Sequence, residues 1–228
     1  MSPESTPVIP VREPEPKVSP RAVWQLPAGA CRISGSLGPD VSAGLLNRVL
    51  AVPAGKLAPS IVGSGELRPD TRRSLSCDDF PAPELFGAFE SVRNVVESVL
   101  GVQCRGMAAE YVLAVHNDGD FFAPHHDVAP GLDSPVERAV TFVYYLHRSP
   151  RPFSGGQLRV YDVVAPADGT TPVPEQHLAW REWEPDHDSI IFFLPTARHE
   201  VRPVVCSSKD YADSRFTITG WLGHLADE

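Results

Sequence analysis

Apolar residues recur at helical spacing in two early stretches, and the period changes beyond residue 110. Residues 39–52, PDVSAGLLNRVLAV, place Val41, Leu45, Leu46, Val49 and Leu50 on one side of a helix. Residues 83–101 repeat the pattern more strongly. Leu85, Phe89, Val92, Val96, Val99 and Leu100 recur at helical spacing, and Gly101 supplies a stop. The stretch between them, SGELRPDTRRSLSCDDFPAP, is polar and reads as loop with room for one short strand. From residue 110 the chain reads as about eight short strands: EYVLAVHN, FFAPHHD, ERAVTFVYYLH (137–147), GGQLRVYDV, HLAWREWEP, DSIIFFLP, HEVRPVV and RFTITGWLGH. Gly, Pro and Asp turns separate them, and no helical period interrupts the series. The pattern predicts a mainly β (α+β) protein. Its core is a sandwich or barrel of jelly-roll type, with two N-terminal helices flanking it.

Residues 1–22 are rich in Pro, Glu and Ser and carry few apolar groups, so they predict a disordered leader. Residues 23–228 are then one domain, with core strands at about 110–224. The stretch 163–176, VVAPADGTTPVPEQ, reads as a Pro-rich loop near the mouth, either a lid or plain surface. The formal charge of -9 argues against nucleic acid as a main partner, since phosphate binding needs a basic surface. Cys31, Cys77, Cys104 and Cys206 are widely spaced and form no CxxC. They read as free thiols, mostly in the core, and point to a cytoplasmic location. No apolar run reaches membrane-spanning length.

The chemistry concentrates at FFAPHHD. Alternation along a strand puts His125 and Asp127 on one face and turns His126 away. An imidazole and a carboxylate make two legs of a mixed N/O metal site. A 2-His-1-carboxylate set with open positions suits non-haem Fe(II). The third leg must come from His147, His177, His187, His199 or His224. His147 reads as an exposed loop residue after its strand, and His177 and His187 lie in polar, acidic surroundings. His199 is favoured because it follows the most apolar strand and opens the next. Two histidines and a carboxylate could also hold zinc for hydrolysis.

A run of further motifs carries a family resemblance. HNDGDFFAPHHD resembles the prolyl 4-hydroxylase pattern, in which a glycine turn and Phe-x-Pro precede HxD. ERAVTFVYYLH resembles that family's Arg-x-x-Thr-x-x-x-Tyr-Leu strand, SGGQLRVYD its Gly-Gly-x-Leu strand, HEVRPV its distal histidine motif and RFTITGWL its Arg-led last strand. RRSLS at 72–76 resembles the Arg-Ser element that often precedes the core. The matches fall in order over residues 111–222, about half the chain. The resemblance is to the Fe(II)- and 2-oxoglutarate-dependent dioxygenases, built on a double-stranded β-helix.

The resemblance implies Fe(II) ligands at His125, Asp127 and His199. It implies Arg215 as the anchor for the distal carboxylate of 2-oxoglutarate, with Tyr145 meeting the same carboxylate. Alternation puts Arg215, Thr217, Thr219 and Trp221 on one face of the last strand. It puts Thr141, Val143 and Tyr145 together on theirs, which separates Tyr145 from Tyr144. Thr217 and Thr219 are thereby candidates for the co-substrate wall, and Thr141, Trp221 and His116 for the substrate pocket. His116 departs from the family, which often has tyrosine there. CSSKDYADS lengthens the gap before Arg215, as a longer hairpin would.

The implied reaction is hydroxylation of an unactivated C–H bond in a peptidyl (prolyl-like), amino-acid or small-molecule substrate. It uses Fe(II), 2-oxoglutarate and O2, releases succinate and CO2, and has ascorbate as a candidate reductant. The alternatives on the same fold are a non-catalytic iron or 2-oxoglutarate sensor and a nucleic-acid demethylase. The second usually has another arginine where this chain has Trp221.

Overall fold

The two faces of the central strands differ in what they must bury, and that difference sets the architecture. In the computed structural model, residues 23–63, 65–103, 108–128, 136–166 and 179–225 are described. The 1–22 leader, Cys104, His177 and the 167–176 part of the Pro-rich loop lie outside the described residues.

Two short strands, β1 (Val23–Leu26) and β2 (Ala30–Ser34), precede helix α1 (Pro39–Leu50). Three more, β3 (Ala58–Pro59), β4 (Arg72–Arg73) and β5 (Leu75–Cys77), lead to helix α2 (Glu84–Leu100). Gly101, at φ 68°, closes α2 in the left-handed conformation. Then come β6 (Ala108–His116), β7 (Phe121–His125), β8 (Val136–Leu146), β9 (Ser154–Gly155), β10 (Leu158–Tyr161) and β11 (Val163–Pro166). The chain continues through β12 (Trp180–Trp183), β13 (Ser189–Phe193), β14 (His199–Val201), β15 (Val204–Val205) and β16 (Arg215–Leu225).

The major sheet has the order β2-β13-β8-β16-β6-β5-β3, and the minor sheet β12-β10-β14-β7-β4. Their ladders are antiparallel. Val143 and Tyr145 of β8 and Ile191 and Phe193 of β13 pack against Leu158 and Val160 of β10, so the sheets stack face to face as a jelly roll. The opposite face of the major sheet carries Leu113, Phe142, Tyr144, Leu146, Phe192, Phe216 and Ile218. It is covered by Leu45 and Val49 of α1 and by Leu85, Phe89, Val96 and Leu100 of α2. Tyr144 thus packs toward the helices, with its hydroxyl donating to Asp188 (2.9 Å).

Several expectations need correcting. Val41 is 43% exposed, because the buried position in that first turn is Ser42. Val99 is 50% exposed, since the buried stripe of α2 passes through Val96 and Leu100 instead. The segments around the helices hold more strands than the single one expected. β1 and β2 are short and mixed in character. β2 owes its pairing to β13 beside it, which no local period signals. His147 is buried rather than exposed, against His187 and Phe153. Of the cysteines, Cys77 and Cys206 are buried and Cys31 partly so, all three as free thiols.

Candidate metal centre

His125 closes β7 and His199 opens β14, and the two are direct partners across the ladder. The register then slips, because Ala123 and Pro124 of β7 together face Glu200 of β14. This bulge breaks the alternation, so Phe122 and His125 share a face and their rings stack at 3.5 Å. Asp127 lies beyond the end of β7, not within a strand through 127 as expected. Backbone contacts place it instead. Its N–H donates to the Pro195 carbonyl (3.0 Å), and Arg138 Nη1 donates to the Asp127 carbonyl (2.7 Å). The Thr141 hydroxyl donates to Asp127 Oδ2 (2.7 Å). His126 turns out to solvent, with Nδ1 against the Thr196 carbonyl (2.9 Å).

The geometry of the three side chains is that of a ligand set. His125 Nε2 stands 3.6 Å from Asp127 Oδ1, and His199 Nε2 3.5 Å from Asp127 Oδ2. All three donor atoms lie within 4.8 Å of one another. Edges of this length fit donors held at about 2.1 Å from one ion. Each ring Nδ1 faces a carbonyl, Ala123 at 2.8 Å and Ala197 at 2.9 Å. A carbonyl only accepts, so Nδ1 carries the proton and Nε2 presents its lone pair to the centre. Burial pushes the Asp127 carboxyl up, but His199, His125 and Thr141 outweigh it and hold it well below the carboxylate range. The group is therefore a ligand-ready anion.

Burial draws His199 down to about 4, despite the pull of Asp127. His116 falls well below its ordinary value through burial and the fields of Arg215 and Arg72. The unfolded chain, with histidines near 6.5, therefore binds more protons than the folded one between about pH 6.5 and 4. The metal-free protein should lose about 3 kcal/mol over that window from His199 alone. Urea midpoints at pH 7 and pH 5 check this, and a flat profile would contradict it.

A second cluster lies further along β8, which carries both Thr141 and Tyr145, and on β16 and β6 beside it. Arg215 is 1% exposed. Its Nε donates to the Gly156 carbonyl (2.8 Å), while among the described residues its Nη2 has no hydrogen-bond partner. The Tyr145 hydroxyl, whose ionisation burial opposes and the neighbouring Arg215 charge favours, and both ring nitrogens of His116 are likewise buried without a hydrogen-bond partner among the described residues. Arg215 pairs with His116 across β16 and β6, and its guanidinium lies 5.0 Å from the Tyr145 ring. The longer connection does not withdraw Arg215, because Tyr211 pins it to α1 through a bond to the Val49 carbonyl (2.8 Å). Thr217 is buried beside Tyr145 in the register, whereas the Thr219 hydroxyl already donates to the Phe142 carbonyl (3.2 Å). Unpaired buried donors cost about 1–3 kcal/mol each. Their convergence is what a small carboxylate would relieve.

Sequence reasoning missed the parts that hold these groups. Gly156 has φ +70°, and a Cβ there would meet Arg215 Cδ at 2.7 Å. Gly156→Ala should therefore displace the guanidinium and weaken binding of a dicarboxylate at least tenfold. Calorimetry with 2-oxoglutarate checks this; unchanged affinity would contradict it. The Gly-Gly pair was the available signal. On the other side of the centre, Arg138 lies 3.4 Å over the Trp221 ring and pairs with Glu110 (3.1 Å). Strict alternation turns Arg138 outward. A bulge opposite Leu222 and Gly223 re-aims it. The Trp221 Nε1 donor is buried without a hydrogen-bond partner among the described residues.

Comparison with known proteins places these features in context. A family model described as the 2OG-Fe(II) oxygenase superfamily matches residues 108–223. An uncharacterized PKHD-type hydroxylase of Synechocystis is 41% identical over 113 residues. That stretch is 50% of this chain and 35% of the relative, so the chain spans about a third of that relative's length. The crystal structure of a Pseudomonas putida prolyl-4-hydroxylase aligns with TM-score 0.59 and 23% identity, over 87% of this chain and 94% of that one. A Trichoplax adhaerens prolyl hydroxylase, in complex with a peptide fragment of a hypoxia-inducible factor, aligns at 0.58 and 22%, over 86% and 84%. HygX of Streptomyces hygroscopicus, with nickel, 2-oxoglutarate and hygromycin B bound, aligns at 0.53 and 12%, over 86% and 83%. At these identities the likeness is one of fold.

Proposed function

Because the chain belongs to the 2OG-Fe(II) oxygenase superfamily, we propose that it hydroxylates an unactivated C–H bond of a peptidyl, amino-acid or other small substrate. His125, Asp127 and His199 hold Fe(II). Arg215 and Tyr145 hold the distal carboxylate of 2-oxoglutarate, with Thr217 in the wall beside them. Bound Fe(II) and 2-oxoglutarate supply the oxidising chemistry with O2, leaving succinate and CO2, and ascorbate serves as reductant for iron.

The observation that carries this reading is two convergent clusters on the inner face of the sandwich. Three ligand atoms of His125, Asp127 and His199 converge on one point, and the buried polar groups of Arg215 and Tyr145 converge on another. A zinc hydrolase would use the first cluster and leave the second without a task. A hydroxylase uses both.

The chain's own residues have distinct work. The carbonyls of Ala123 and Ala197 fix the histidine tautomers, and Thr141 orients Asp127. Arg215 gives the co-substrate an opposite charge in a dry site, where pairing is strong. Val143, Ile191, Phe193, Leu158 and Val160 exclude water around it. Asp127 fills a position that a halide would otherwise take, which favours hydroxylation. The surplus of acidic residues disfavours nucleic-acid substrates.

The test is turnover of 2-oxoglutarate by purified protein with Fe(II), ascorbate and O2. Slow succinate release without substrate is expected, accelerated by a true substrate in a metabolite or peptide panel. No succinate under any of these conditions would refute the proposal.

A further inference from the structure

An arginine on the inner face of a barrel strand is expected to have its charge balanced. Arg138 has Glu110 (3.1 Å), and Arg215 faces the co-substrate of the proposed reaction. Arg72 of β4 is different. Its Nε donates to the Ser74 hydroxyl (3.1 Å) and its Nη1 to the Ile61 carbonyl (3.0 Å), both neutral acceptors. Among the described residues no carboxylate forms an ion pair with it; Asp127 and Asp78 act on it only at a distance. Burial works against its charge, pulling it down to about 10.

The side chain is also held in place. Arg72 pairs with Phe122 in the ladder, and its guanidinium carbon lies 4.7 Å from the Phe122 ring centroid. Phe122 in turn stacks on His125 at 3.5 Å with planes 16° apart. The result is a guanidinium–phenyl–imidazole stack that ends on the metal centre. Ser74 is fixed by its own bond to the Ser60 hydroxyl (2.8 Å). A cation braced in this way, on the minor-sheet wall across from Arg215, is prepared for an anion rather than for solvent.

Charge counting sets the kind of anion. With Fe(II), Arg215 and Arg72 the loaded site holds four positive charges. Asp127 and dianionic 2-oxoglutarate supply three negative ones. Asp78 is exposed and acts on Arg72 only at a distance, so one positive charge is left unmatched inside the site, and the prime substrate is the molecule still to enter. We infer that Arg72 anchors a carboxylate on that substrate. The substrate class it points to is a free amino acid or other small carboxylic acid. This rests on the oxygenase reading above and narrows it.

The test uses the full chain loaded with Zn(II) and 2-oxoglutarate, which cannot turn over. If the loaded wild type fails to bind 2-oxoglutarate, the oxygenase reading itself has failed. Given that binding, the probes are the free L-amino acids and short aliphatic acids, each matched to its primary amide, with binding read by ligand-observed NMR. At least one acid should bind, and its amide should bind roughly ten- to a hundredfold more weakly, the range for a lost charge-assisted contact. Arg72→Gln should bring that acid down to the level of its amide, and Arg72→Lys should fall between. The affinity for 2-oxoglutarate should move less than twofold in either variant. Three outcomes would overturn the inference: no acid binds; an amide binds as tightly as its acid; or Arg72→Gln weakens 2-oxoglutarate by as much as the acid.

Discussion

His199→Ala is expected to lower Fe(II) affinity by roughly two to three orders of magnitude, while His126→Ala leaves it within twofold. The scale follows from apparent metal-binding free energies of about 10–16 kcal/mol shared among four protein ligands. His199 is 5% exposed, directs Nε2 to within 3.5 Å of Asp127, and has its tautomer fixed by Ala197. Nothing else described could take its place, since no other group of three candidate ligands gathers among the described residues. His126 is adjacent to His125 in sequence, yet its ring is exposed and bonded to the Thr196 carbonyl. Titration of Fe(II) or Mn(II) into each metal-free variant decides the matter. Loss of binding in His126→Ala instead would mean that the residues on this turn have been assigned to the wrong faces.

Arg215→Met is expected to do two opposite things. It should weaken 2-oxoglutarate by roughly a hundredfold or more, because removing one partner of a buried charged contact costs about 2–5 kcal/mol. It should also leave the melting temperature of the ligand-free protein unchanged or raised. Arg215 is a fully buried cation whose Nη2 has no hydrogen-bond partner among the described residues, next to a neutral His116 that its field helps keep uncharged. An apolar side chain of similar volume removes that penalty. Calorimetry for the ligand and thermal melts of the apo form check both halves. A variant that is less stable and still binds 2-oxoglutarate normally would show that Arg215 is a structural residue.

The parts of the molecule that obey a period were legible. Alternation along β8 and β16 separates Tyr145, packed between the sheets, from Tyr144, packed toward the helices, and pairs Thr217 with Tyr145 and Trp221 with Thr141 in the register. The helical periods found α1 and α2 to within a residue or two. The illegible parts are those where a period breaks. The bulge in β7 brings Phe122 onto the face of His125, and the bulge in β8 re-aims Arg138 at Asp127. Each inserts one residue, and a pattern of period two carries no mark of it. Asp127 lies beside His125 and His199 for a reason other than alternation, since it is past the strand end and is held by Pro195, Arg138 and Thr141. Short strands such as β2 and β4 form because a partner strand is waiting, which is information held elsewhere in the chain.

The central claim is that one cavity binds Fe(II) at His125, Asp127 and His199 and 2-oxoglutarate between that ion and Arg215. The most direct measurement is an anaerobic titration of 2-oxoglutarate into the Fe(II)-loaded protein, followed by visible absorption. A metal-to-ligand charge-transfer band should grow to saturation with one equivalent in the wild type. It should require far more 2-oxoglutarate in Arg215→Met and be absent in His199→Ala. No band in the wild type, or an equal band in all three proteins, would contradict the account.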